Sequence, residues 1–112
     1  MYDFQRELVL QGVVRSFDWA DPHVYVSIET QDAAGETSVI AIEGPTLRAL
    51  TIAGWSKDSL KPGDRVVVAA NPSRTASENT VLGNSILIEN GAFLPMGGTL
   101  LQAVLAGQRP DD

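Results

Sequence analysis

The hydrophobic period of this chain changes once and then changes back. Between Arg6 and Glu43 the apolar residues follow the two-residue period of strands. From Gly44-Pro45 to Gly54 they take helical spacing, with Leu47 and Leu50 three apart. From Arg65 to Glu89 the strand pattern returns. Such a chain lays down a run of strands, crosses by one short helix and then lays down more strands.

Taken in order, Arg6 to Trp19 is a long strand carrying Leu8, Leu10, Val13, Val14, Phe17 and Trp19. Its alternation slips after Gly12, and a glycine at a break in period predicts a bulge there. A first strand that bends midway can serve both sides of a small barrel. Asp18 to Pro22 forms the first turn, with Asp favouring turn geometry and Pro22 holding Asp21 extended. Val24, Val26 and Ile28 then share one face of the second strand, opposite Tyr25, Ser27 and Glu29. The loop Asp32-Ala33-Ala34-Gly35 returns the chain into a third strand, Thr37 to Glu43, with Ile40 and Ile42 as its core residues.

The helix is expected over Pro45 to Ala53, with the proline in its first turn and Gly54 as its stop. Trp55 packs where the helix meets the strands. Lys61-Pro62-Gly63-Asp64 has proline and glycine at the central positions of a type II turn. Arg65 to Ala70 is a fourth strand so rich in Val and Ala that it is buried on both faces. A polar loop, Asn71 to Asn79, leads to a fifth strand, Thr80 to Glu89, with Leu82, Ile86 and Ile88 on one face and Asn90-Gly91 at its end. Thr99 to Ala106 has the composition of a short apolar helix, and Arg109 to Asp112 is a polar tail.

This order, β-β-β-α-β-β with a bent first strand, defines an all-β fold with one short helix. It is the order of an OB-like five-stranded Greek-key barrel whose helix plugs one end. The barrel is expected over residues 6–91 of a single domain, followed by a C-terminal helical segment over 92–112. An SH3-like barrel would not need a helix at that position, and an open sandwich would need more strands.

Charge narrows the partners. The net charge is −6, and the eight Lys and Arg are scattered singly between acids, so a phosphate backbone is a poor partner. With no cysteine, thiolate metal sites and thiol nucleophiles are excluded. No apolar run reaches the roughly 20 residues of a membrane span. No basic-then-apolar leader opens the chain, and the abrupt start at Met1-Tyr2-Asp3-Phe4 is read as a methionine in place of a removed one.

Gly12-Val13-Val14, Trp19, Asp21-Pro22-His23, Glu43, Leu47, Gly54-Trp55 and Lys61-Pro62-Gly63-Asp64 follow one another over most of the chain. Together they resemble the pattern of a family of small exported bacterial proteins of unknown function. That pattern has a Gly-x-Val strand, a Trp, Asn-Pro-His, a Glu closing the third strand, Leu and Gly-Trp around the helix, and Lys-Pro-Gly-Asp. The resemblance implies a periplasmic or secreted protein and is silent on activity. Asp21 departs from it, standing where the family has Asn; an amide that donates a hydrogen bond there could not be replaced by Asp.

The candidate site is the corner from Phe17 to Glu29, which holds the only histidine, His23. Trp19, His23, Tyr25, Glu43 and Trp55 are the candidate ligand-binding residues: the aromatics could stack on a sugar or another flat ligand, or could simply be core. Asp18, Asp21 and His23 could form a mixed nitrogen and oxygen site for Zn, Cu or Ni. The alternative is that the two acids cap the turn while His23 bonds a backbone carbonyl. Glu43 could cap the helix or, with His23, act as an acid–base pair. No nucleophile elbow, HExxH or phosphate loop is present, and catalysis is not expected.

Three functions remain open. One is a non-enzymatic binding or accessory module for a small ligand or protein partner. Another is a metal-binding or small-molecule-converting protein built on His23. The third is a homo-oligomerising subunit that uses Leu100, Leu101, Val104 and Leu105, residues that could equally cover a barrel seam.

Overall fold

The computed structural model describes residues 2–74 and 79–96. Within them the elements run β1 (Leu8–Asp18), β2 (Tyr25–Gln31), β3 (Thr37–Glu43), α1 (Leu47–Ile52), β4 (Arg65–Pro72), β5 (Thr80–Ile88) and β6 (Phe93–Pro95). The expected helix over Thr99–Ala106 lies outside the described residues.

The first five strands close a barrel of OB-like topology. β1 pairs antiparallel with β2 and with β4, β2 with β3, and β4 with β5. A short parallel pairing of Ala41–Glu43 with Thr80–Leu82 shuts the ring. β1 serves two neighbours along its length: Leu8–Val13 lie against β4 and Val13–Asp18 against β2.

Alternation decides which side chains go in. Val24, Val26, Ile28 and Ile42 are fully buried and meet Val66, Val68, Ala70, Ile86 and Ile88 inside the barrel. The face of β1 does change, but the bulge falls at Arg15 rather than at Gly12. Val14 opposes Ile28 and Ser16 opposes Ser27, so Arg15 has no residue across from it. Val13 misleads the reading of period because it is apolar and yet 38% exposed, while Val14 is buried.

Gly12 has a different use. A Cβ built there would lie 2.7 Å from the Glu29 carbonyl oxygen, so glycine lets the two strands come together.

β5 also carries a bulge. Ala69 opposes Ser85 and Ala70 opposes Gly83, leaving Asn84 as the extra residue. The parity shift puts Val81, not the expected Leu82, into the core with Ile86 and Ile88. Buried Asn84 donates from Nδ2 to Asn71 Oδ1 at 3.1 Å, and Asn71 Nδ2 donates to the Arg6 carbonyl at 2.8 Å. The side-chain amide of the extra residue is thereby paired inside the fold.

β4 is buried on both faces, as its composition requires. Its outward residues Val67 and Ala69 form a second apolar cluster with Leu87, against which Phe93 packs. β6 is an addition to the expected strands. Asn90 and Gly91 turn the chain tightly, with Gly91 donating to the Ile88 carbonyl, and Phe93–Pro95 return along Ser85–Leu87.

The helix is shorter than expected. Thr46 is its N-cap, its hydroxyl accepting from the Ala49 N–H, and Pro45 stands outside with its carbonyl bonded to the Val24 N–H. At the other end Gly54 takes φ +100°, and the N–H groups of Gly54 and Trp55 bond the carbonyls of Thr51 and Leu50. That Schellman arrangement turns the chain so that Trp55 drops into the core beside Leu50. The Lys61–Asp64 turn forms as expected and bonds both backbone groups of Val14.

Candidate functional site

The candidate site is assembled where the β1–β2 loop meets the end of β3. Asp21, joined to Pro22 by a cis peptide bond, accepts the Leu47 N–H through Oδ1 at 3.1 Å and so helps cap α1. The N–H of Val24 goes to the Pro45 carbonyl, and the Val24 carbonyl accepts the Gly44 N–H. These bonds fix His23 beside Glu43 and Gly44.

His23 Nδ1 lies 3.1 Å from the Gly44 carbonyl and 3.6 Å from Glu43 Oε2. A carbonyl only accepts, so Nδ1 carries the hydrogen, and in the neutral ring Nε2 keeps its lone pair. The side chain is 47% exposed.

Glu43 is directed by strand register. Ile42 points into the barrel, so Glu43 points out and opposes Tyr25 on β2. Its Oε1 accepts the hydroxyls of Tyr2 at 2.8 Å and Tyr25 at 3.3 Å, while Oε2 faces His23. Burial pushes the Tyr25 hydroxyl above its ordinary pKa, and the charge of Glu43 and its hydrogen bond push the same way. Glu43 does not cap the helix; Thr46 and Asp21 do that.

Of the five candidate ligand residues, the structure brings together His23, Tyr25 and Glu43. Trp19 and Trp55 belong to another group, each packed on Phe17 with ring centroids 5.7 and 6.0 Å from it. Trp55 is core: it is 2% exposed, and its indole N–H donates to the Pro95 carbonyl at 2.7 Å. Trp19 is half-buried against the same core.

Asp18, Asp21 and His23 do not converge as ligands. Among the described residues no three His, Cys, Asp or Glu side chains group as a metal shell. Sequence reasoning missed Tyr2, whose only local cue is an aromatic near the chain start. A bridge between Tyr2 and Ser73, 71 positions later, brings it to the site.

What these elements define is an OB-like barrel with a half-open cluster of hydrogen-bond acceptors on the edge formed by its first loop. The chain belongs to the family of unknown function DUF6152, whose model matches residues 1–82. No curated protein and no solved structure matches it. Among the described residues no helix is long and apolar enough to cross a membrane.

Proposed function

We propose that this protein is a non-enzymatic, exported binding or accessory module, and that its ligand or partner docks at the corner of His23, Tyr25 and Glu43. The observation that carries the proposal is the convergence of His23, Tyr25 and Glu43 on one part-exposed edge of the barrel. The imidazole of His23 is half-exposed, its Nδ1 faces the Gly44 carbonyl and Glu43 Oε2, and the other carboxylate oxygen is held by two tyrosine hydroxyls, so Nε2 is the ring atom free of these contacts. Such a site favours a ligand that donates, such as an ammonium group or a sugar hydroxyl. Export rests on the family resemblance of the Asp21-Pro22-His23 and Lys61–Asp64 motifs.

The test is amide shift mapping by NMR with primary amines and monosaccharides as probes, and in parallel with zinc and copper ions. Binding at this corner gives saturable shifts at His23, Tyr25 and Gly44 that are lost in His23→Ala and Glu43→Gln. If no probe moves these amides, the proposal fails. If only a metal does so, with His23 required, the metal-binding reading replaces it.

A further inference from the structure

The eight basic residues look isolated in sequence, yet the fold sets two of them on one cleft. Arg6, just before β1, and Arg74, just after β4, both line an open cavity of about 520 Å³. Leu8, Ile40 and Val81 contribute to its lining, as does Thr80. Among the described residues no carboxylate lies within ion-pair distance of either guanidinium. Among the described residues Asp3 is the acid on the lining, and its Oδ1 accepts the Gln5 N–H. The site is separate from the His23 corner. Tyr2 links the two: its hydroxyl goes to Glu43 while its carbonyl accepts Arg74 Nε at 3.4 Å.

We infer that this cleft binds a small organic anion: an oxyanion head held between Arg6 and Arg74, and a short apolar body on Leu8, Ile40 and Val81. The net charge of −6 would repel an anion from most of the surface. Among the described lining residues two cations face one carboxylate, which favours an anion locally, and guanidinium presents paired N–H donors that match carboxylate and phosphate oxygens. The cavity is within the size range of small-ligand sites. Its mixed lining suits a molecule with one charged end.

The test is an NMR titration of the full chain at low ionic strength, where screening is weak. The probes are hexanoate, butyl phosphate and inorganic phosphate. Hexanoate or butyl phosphate should give saturable shifts at the amides of Leu8, Ile40, Thr80 and Val81, and whichever binds tighter identifies the head group. Inorganic phosphate should bind more weakly than butyl phosphate; equal affinity would overturn the apolar half of the proposal. Loss of a charge-assisted contact in Arg6→Gln or Arg74→Gln should weaken binding about tenfold or more. Arg48→Gln, on exposed α1, changes net charge equally and should leave affinity unchanged. Shifts that do not saturate, or that weaken equally in Arg48→Gln, would overturn the site. Thermal melting of each variant separates lost binding from lost folding.

Discussion

Replacing Gly12 by alanine tests how the barrel brings its first two strands together. The new Cβ would stand 2.7 Å from the Glu29 carbonyl oxygen, 3.2 Å from Ile28 Cδ1 and 3.3 Å from Thr30 Cγ2. The nearest of these atoms is backbone in the centre of β2 and has no rotamer to change. Restoring a carbon–oxygen contact of about 3.3 Å needs the strands to part by roughly 0.6 Å. β1 cannot simply retreat, because Gly12 also lies opposite Val66 on β4. Overpacking of this kind costs about 1–3 kcal/mol. Alanine regains roughly 0.5–1 kcal/mol over glycine through the unfolded chain. The net loss is about 1–2 kcal/mol, or roughly 5–15 °C in Tm for a domain of this size.

Urea and thermal unfolding followed by circular dichroism measure that loss, with an unchanged m value showing that the unfolded state is not the cause. Gly54→Ala gives a useful contrast, since its Cβ would meet nothing within 4 Å but its φ is +100°. It should cost about 1 kcal/mol from backbone conformation alone. A Gly12→Ala protein as stable as wild type would refute the close-approach account. Gly12 would then be no more than a permissive point in a bent strand.

Three further outcomes follow from named contacts. Asp21 acts as an acceptor toward the Leu47 N–H, so Asp21→Asn should keep stability within a few tenths of a kcal/mol, whereas Asp21→Ala should lose about 1 kcal/mol on thermal melting. Tyr25 should ionise above the ordinary tyrosine value of 10.0 in an ultraviolet titration, with Tyr2→Phe assigning the signal, and Glu43→Gln should lower its midpoint only partway because burial is the largest cause. The folded state holds that proton more tightly than the unfolded chain, so Tyr25's contribution to stability is full below pH 10.0 and is lost as pH rises through the folded value. Asn84→Ala leaves buried Asn71 Oδ1 without its donor and should cost about 1–3 kcal/mol by urea unfolding.

The barrel was legible because its turns and periods agree with one another. Val24, Val26 and Ile28 alternate without interruption, Lys61-Pro62-Gly63-Asp64 permits one turn type, and the unbroken Val and Ala of Arg65 to Ala70 leave no solvent face. The histidine–carbonyl contact of His23 is what a lone histidine in a turn commonly makes, and the outward direction of Glu43 follows from Ile42 pointing in. Tyr2 beside Glu43 and Arg6 on one cleft with Arg74 were not legible, since each pair is joined only by pairing between strands distant in sequence. Periodicity orders neighbours along a strand; it does not say which distant loops share an edge.

The two bulges were hidden for a related reason, and their positions explain what they do. β1 leaves β4 at Val13 and continues on β2, and its extra residue, Arg15, follows directly. β5 leaves β3 at Leu82 and meets β6 from Ser85, with Asn84 between. In both strands the extra residue sits where the strand changes partners, the place where added local twist helps one strand follow two neighbours. Both extra residues are polar, so the hydrophobic pattern passes over them as ordinary outward positions. Leu82 and Ile86 then look like one face although the register between them has shifted by one. A bulge residue is therefore better sought where topology requires a strand to change neighbours than where a glycine interrupts its period.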